Sequence, residues 1–185
     1  GDDVIDVDPT VARLQETVAA KLGKEAAIYM PSGSMTNQIA IRVHCRPGDE
    51  FLCGAGCHVY NYEQAAFAQL SGIVAHTVPG NDGVLQLDQL TGLIRPENDH
   101  LVRTRLVTLE NTHNRGAGRI QPFEVVSDIC RWAREHGIKT VLLEATTKNH
   151  PALSLYQKQG FRFCGFNDHY YLNQDIAVFF AQTLR

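Results

Sequence analysis

Short apolar runs alternate with amphipathic stretches along this chain, and that alternation leaves few folds open to it. Residues 26–30, 51–53, 73–78, 105–109 and 139–144 read as strands, rich in Ile, Val, Leu and Phe. Between them, residues 11–22, 35–44, 62–70, 87–94 and 123–136 carry apolar side chains at helical spacing. Punctuation supports the boundaries: Asp8-Pro9 is a cap followed by proline at the first helical position, Gly23 and Gly137 end helices, and Pro47-Gly48, Gly80-Asn81-Asp82-Gly83 and Pro96 mark turns. A strand that must run parallel to its neighbour needs a long crossover, usually a helix, and strands covered on both faces are apolar throughout. The pattern predicts an α/β fold: a mostly parallel sheet with helices on both faces. Two further strand-like runs, 162–166 and 176–180, lack room for a crossover between them and predict antiparallel strands at the C-terminal end.

Composition narrows the function classes. With 185 residues the chain suffices for one domain of ordinary size, and 44% apolar with 20% charged residues is typical of a globular protein. A formal net charge of −3 leaves no basic footprint for nucleic acid, and no apolar run approaches a membrane span. The expectation is a cytoplasmic protein with neither nucleic acid nor membrane as partner. Five cysteines, Cys45, Cys53, Cys57, Cys130 and Cys164, make an odd set best read as free thiols of a reducing compartment. Cys53, Cys57 and His58 are close in sequence, but they lack zinc spacing and a second ligand pair, so no metal is expected. The start at Gly1 rather than Met reads as processed, cloned or truncated.

Three segments carry candidate chemistry. Pro31-Ser32-Gly33-Ser34-Met35 joins an apolar run to a helix. A helix start offers unbonded N–H groups and the positive end of the dipole, Gly33 permits close approach, and Ser34 adds a hydroxyl, together a cradle for an anion. His58-Val59-Tyr60-Asn61-Tyr62-Glu63 follows the second strand and Glu110-Asn111-Thr112-His113-Asn114 the fourth. Ligands of open α/β sheets gather beyond the carboxyl ends of strands, where all three segments fall.

Taken in order and spacing, Asp8-Pro9-Thr10-Val11, Pro31 to Gln38, His58 and Glu110 to Arg115 closely resemble the threonine aldolases, members of the β-eliminating lyase group of fold-type-I pyridoxal-phosphate enzymes. The resemblance spans residues 1–140. It implies that Gly33, Ser34 and Met35 hold the cofactor phosphate, that His58 stacks on the pyridine ring and that His113 lies near the substrate hydroxyl. The implied reaction cleaves a β-hydroxy-α-amino acid to glycine and an aldehyde, and such sites are shared between subunits, implying a homo-oligomer. Where the family has its ring-pairing Asp and substrate-binding Arg, this chain has Glu144 and Thr147. None of Lys21, Lys24, Lys139, Lys148 and Lys158 lies in a motif matching the Schiff-base lysine, Lys148 being nearest by position. The family's N-terminal arm and small C-terminal domain have no counterpart. The resemblance therefore implies an incomplete lyase whose cofactor, pyridoxal phosphate, is not held as a Schiff base.

The reading changes at about residues 139–141. Residues 141–185 resemble the last part of a GNAT-superfamily acetyltransferase, through Asn149, Ala152, Leu155-Tyr156 and Gly160-Phe161. That resemblance implies an alternative acetyl-CoA site with Asn149 lining it and Tyr156 protonating the departing thiolate, although the pyrophosphate loop of that fold has no counterpart upstream. The expectation is a truncated aldolase-like domain over 1–140 and an acetyltransferase-like tail over 141–185 packed on the same sheet, either a fusion or an inert chimera.

Overall fold

The computed structural model describes residues 6–21, 23–138, 140–146, 162–167 and 177–183, the last three spans as backbone. Helix α1 (Pro9–Lys21) starts as expected: Asp8 Oδ1 accepts from the N–H groups of Thr10 at 2.7 Å and Val11 at 3.3 Å. Helix α2 (Gly33–His44) is followed by β1 (Asp49–Gly54), two short helices α3 (His58–Asn61) and α4 (Ala66–Ser71), and β2 (Val74–Val78). Then come α5 (Leu87–Leu90), β3 (Arg103–Glu110), α6 (Phe123–Glu135), β4 (Thr140–Thr146), β5 (Arg162–Asn167) and β6 (Ala177–Thr183). The six strands form one sheet in the order β2-β1-β3-β4-β6-β5. The first four are parallel, β6 runs antiparallel to β4, and β5 antiparallel to β6. The expected α/β class and its antiparallel end are both present.

Strand alternation divides the core. Phe51 and Cys53 of β1 and Leu106 of β3 face one side with Ile41 of α2 and Phe67 of α4. Leu52, Val107 and Leu109 face the other with Val126, Ile129, Cys130 and Ala133 of α6. The α6 positions recur at three- and four-residue intervals, the stripe that lets one helix face cover a sheet. Fully burying an Ile or Leu contributes about 1.5–3 kcal/mol, so these rows fix strand register on both faces. At the amino ends of the strands, buried Glu50 accepts from Arg95 Nε at 2.9 Å and Thr104 Oγ1 at 3.0 Å. That pins the sheet edge opposite the candidate site. Among the described residues no helix is long and apolar enough to cross a membrane.

Three expected elements differ. Residues 26–30 belong to no helix and to no strand of the sheet; Ile28 is 57% and Tyr29 41% exposed, and only Met30 is buried. The Tyr29 N–H bonds Gln15 Oε1 of α1 at 2.7 Å instead of a strand. An apolar run makes a strand only where a neighbouring strand lies alongside it. The helix expected over 62–70 is broken, because Gln64 and Ala65 take positive φ of 52° and 53° and helix resumes only at Ala66. The helix expected over 87–94 is a single turn, α5, where the Gln86 N–H bonds Gln89 Oε1 at 2.9 Å and Gly92 turns the chain with φ +83°. The helix expected over 153–159 lies outside the described residues.

Candidate functional site

The site assembles beyond the carboxyl ends of β1 and β3. At the start of α2, Ser32 is the N-cap: its Oγ accepts from the Met35 N–H at 3.1 Å and its carbonyl from the Thr36 N–H at 3.1 Å. The N–H groups of Gly33 and Ser34 have no partner among the described residues, as the first turn of a helix leaves them. Gly33 is buried, while Ser34 and Met35 reach a cavity of about 450 Å³ between α2 and α4, lined also by Gln38, Glu63 and Leu70.

Glu63 organises one side of this space. Its side chain is 1% exposed, and its Oε1 accepts from Asn37 Nδ2 at 2.8 Å while its Oε2 accepts from Gln38 Nε2 at 2.5 Å. His58 Nδ1 lies 3.0 Å from Oε1 and donates to it. A buried carboxylate persists when donors fill its lone pairs, and here three side chains do so. The break at Gln64-Ala65 is what turns Glu63 inward, so one residue couples His58 to the second turn of α2. The His58 ring also packs on Tyr62, centroids 5.5 Å apart.

Glu110 joins the two strand-end loops. Its Oε2 accepts from the His58 N–H at 2.6 Å and its Oε1 from the Asn114 N–H at 2.7 Å. A pocket at this junction is lined by Asn37, Cys57, His58, Thr108 and Glu110. Behind it, the neighbouring Cys57 thiol, together with burial, pushes the Cys53 thiol up.

His113 sits in a different setting. It is 3% exposed and enclosed by the chain at Gly56, Gly83 and Gly116. A Cβ at Gly83 would fall 2.4 Å from its Cγ, and one at Gly56 would fall 3.3 Å from its Cε1. Its Nδ1 accepts from the Gly116 N–H at 3.0 Å, and its Nε2 is buried with no partner among the described residues.

Of the residues singled out from sequence, Gly33, Ser34, Met35 and His58 thus share one neighbourhood through Glu63, and His113 is tied to the His58 connection through the Glu110 clamp and through Gly56. Asn149, Tyr156, Lys148 and Thr147 lie outside the described residues. Glu144 stands opposite Glu110 in the β3–β4 register. Glu63 and Glu110 were not expected as site residues. The signal for Glu63 lay in Asn37 and Gln38, two adjacent amides on a helix face that is buried and so needed an acceptor.

This geometry has relatives. The chain is 40% identical over 139 residues to the low specificity L-threonine aldolase of Escherichia coli O157:H7, covering 75% of this chain and 41% of that protein. It is 39% identical over 142 residues to low-specificity L-threonine aldolase 1 of Arabidopsis thaliana, covering 75% of this chain and 40% of that protein. The chain thus spans about two fifths of the length of these relatives. Among solved structures, a threonine aldolase of Leishmania major superposes with a TM-score of 0.71 at 20% identity, over 91% of this chain and 52% of that one. A cystathionine gamma-lyase of Lactobacillus plantarum superposes with a TM-score of 0.64 at 16% identity, over 96% and 43%. Both structural likenesses carry the fold. The Beta-eliminating lyase family matches residues 1–146, strands β1 to β4 and every loop that builds the site, and the chain belongs to that family.

Proposed function

We propose that this chain carries the phosphate- and ring-binding part of a pyridoxal-phosphate lyase that cleaves β-hydroxy-α-amino acids to glycine and an aldehyde. The observation that carries the reading is the Glu63 cluster. It holds His58 beside a helix start with two unbonded N–H groups, in a chain 40% identical to an L-threonine aldolase. The residues present fit the cofactor's anion and its aromatic ring. Gly33 and Ser34 would bind phosphate oxygens through their N–H groups and the Ser34 hydroxyl, assisted by the helix dipole. The Met35 N–H is engaged by Ser32, so Met35 contributes its side chain to the cavity wall. His58, oriented by Glu63, would stack on the ring. When bound, the cofactor supplies an electron sink for cleavage at the α-carbon; this chain's residues bind, orient and shield.

A covalent link requires a lysine amine beneath the ring. Lys21 ends α1 and Lys24 follows it, while Lys139, Lys148 and Lys158 lie outside the described residues. The reading has the cofactor held on this chain by phosphate and ring contacts. Pyridoxal phosphate at a hundred times its Kd should stabilise the chain by about 2.7 kcal/mol, seen as a rise in Tm, and His58→Ala should abolish the rise. Borohydride treatment followed by peptide mapping should leave no pyridoxyl group on the chain. A group fixed to Lys148 would overturn the non-covalent part. No Tm shift would overturn the reading, and a shift with coenzyme A instead, lost in Tyr156→Phe, would move the assignment to the acetyltransferase-like tail.

A further inference from the structure

We infer that Thr108 is a further ligand-contacting residue of the site, its buried hydroxyl accepting a hydrogen bond from a donor on the edge of the bound ring. Thr108 lies on β3 two residues beyond Leu106, so strand alternation turns it to the same side of the sheet, toward α2. It is 6% exposed and lines the pocket at the strand ends together with Asn37, His58 and Glu110. Its Oγ1 is buried and has no partner among the described residues. A β-branched residue suits a strand, but valine would supply the same branched shape without a polar atom. A buried hydroxyl left unpaired is costly, and in the wall of a pocket beside His58 it points to a ligand.

The wall of the pocket decides what kind of group the hydroxyl meets. Its volume of about 30 Å³ has room for a water-sized group, so it admits an edge atom of a ring and not the ring. Asn37 spends its Nδ2 donor on Glu63, which leaves its Oδ1, an acceptor. Glu110 is a carboxylate whose oxygens take the His58 and Asn114 N–H groups and keep further lone pairs. Acceptors and a negative charge make this space hostile to an anion such as a phosphate and favourable to a hydrogen-bond donor. The Thr108 hydroxyl, with two lone pairs, completes that set. Pyridoxal phosphate carries two such donors on its ring edge, the protonated ring nitrogen and the ring hydroxyl. That the ring is this cofactor rests on the function proposed above; the unpaired hydroxyl does not.

The test measures urea midpoints and pyridoxal phosphate affinity for the full chain and its Thr108→Val and Thr108→Ser variants. Without ligand, Thr108→Val should be as stable as the parent or more so, because it removes a polar atom that has nothing to bond. Its affinity for pyridoxal phosphate should fall about tenfold, the worth of one hydrogen bond, while Thr108→Ser, which keeps the hydroxyl, should retain it. Two analogues then identify the donor: one without the ring hydroxyl, one with carbon in place of the ring nitrogen. The analogue that binds parent and Thr108→Val equally is the one that has lost it. A Thr108→Val chain less stable without ligand shows a structural partner for the hydroxyl and overturns the inference. Unchanged affinity in Thr108→Val, or dependence on Thr108 with both analogues, overturns the contact with a ring donor while the proposed function stands. No binding to the parent chain overturns both.

Discussion

His58 and His113 stand on the connections that follow neighbouring parallel strands, β1 and β3, yet their rings are held in opposite senses. His58 Nδ1 donates to the buried carboxylate of Glu63, whereas His113 Nδ1 accepts from the Gly116 backbone. His58 is partly exposed and tied by side chains to α2, while His113 is walled in by glycines. A carboxylate partner favours a protonated Nδ1 and leaves orientation to side-chain packing. A backbone N–H forbids that proton and fixes orientation by the main chain. Two histidines at one sheet edge can thus be given different chemical characters by what faces a single nitrogen.

The largest expected effect tests whether the two holdings are independent. Glu63→Leu strips the acceptor from Asn37, Gln38 and His58, stranding buried donors, and should cost about 3 kcal/mol or more in urea unfolding. Glu63→Gln keeps the shape but turns an amide toward existing donors and should cost roughly half as much by the same logic. In Glu63→Gln the His58 ring signals should shift and those of His113 should remain. Movement of both would make the site one unit coupled through Glu110, and the contrast would break.

The glycine wall is next. Gly83→Ala combines a positive φ of +88° with a Cβ placed on the His113 ring, and should cost about 2–3 kcal/mol from strain and overpacking together. In a His113→Ala background the ring is gone, and the cost should fall to about 1 kcal/mol, the backbone part alone. An unchanged cost in the double variant would show that Gly83 serves the turn at 81–84 and not His113.

The pH at which the histidines are compared is bounded by the two cores. Burial pushes the Cys45 thiol up to about 12, with the Asp49 carboxylate adding to it, and burial likewise pushes Cys130 up to about 12, against their ordinary value of 9.0. Each folded value lies above the unfolded one, so the unfolded chain releases these protons first. The stabilisation is complete below about pH 9 and declines as pH rises from 9 toward 12. The expected loss is about 1.4 kcal/mol per pH unit for each thiol. Urea midpoints should be flat in this respect at pH 8 and fall by pH 10, and Cys45→Ser and Cys130→Ser should each flatten the fall. An equal fall in both variants would place its origin elsewhere.

Much of the fold was legible because it is written locally. The Asp8 cap, the start of α2, the alternation in β1 and β3, the stripe of α6 and the two end strands follow from spacing and punctuation. What was illegible depends on partners distant in sequence. Residues 26–30 carry a strand's composition without a neighbouring strand, and the break at Gln64-Ala65 turns Glu63 toward amides 25 and 26 residues away. The candidate site divides in the same way. Gly33, Ser34, His58 and His113 could be named from motifs, but the Glu63 cluster and the glycine slot, which decide where the ring protons sit, arise only when loops from three strands meet.

The smallest effect sharpens the contrast from the helix side. Ser32→Ala removes the cap bond to the Met35 N–H and should cost about 1 kcal/mol, with Ser32→Gly costing only a few tenths. The structural consequence matters more than its size. Asn37 and Gln38 lie one turn beyond the cap and hold Glu63, so fraying the first turn of α2 is transmitted through Glu63 to His58. The path to His113 is longer, running on from the His58 backbone through Glu110 to Asn114, and the His113 ring itself is walled by Gly83, Gly56 and Gly116. Ring NMR of Ser32→Ala should therefore show a displaced or broadened His58 beside an unaltered His113, and weaker pyridoxal phosphate binding than in Ser32→Gly. Equal perturbation of the two rings by so small a change would mean that backbone and side-chain holding are equally soft, and would remove the reason to assign them different work.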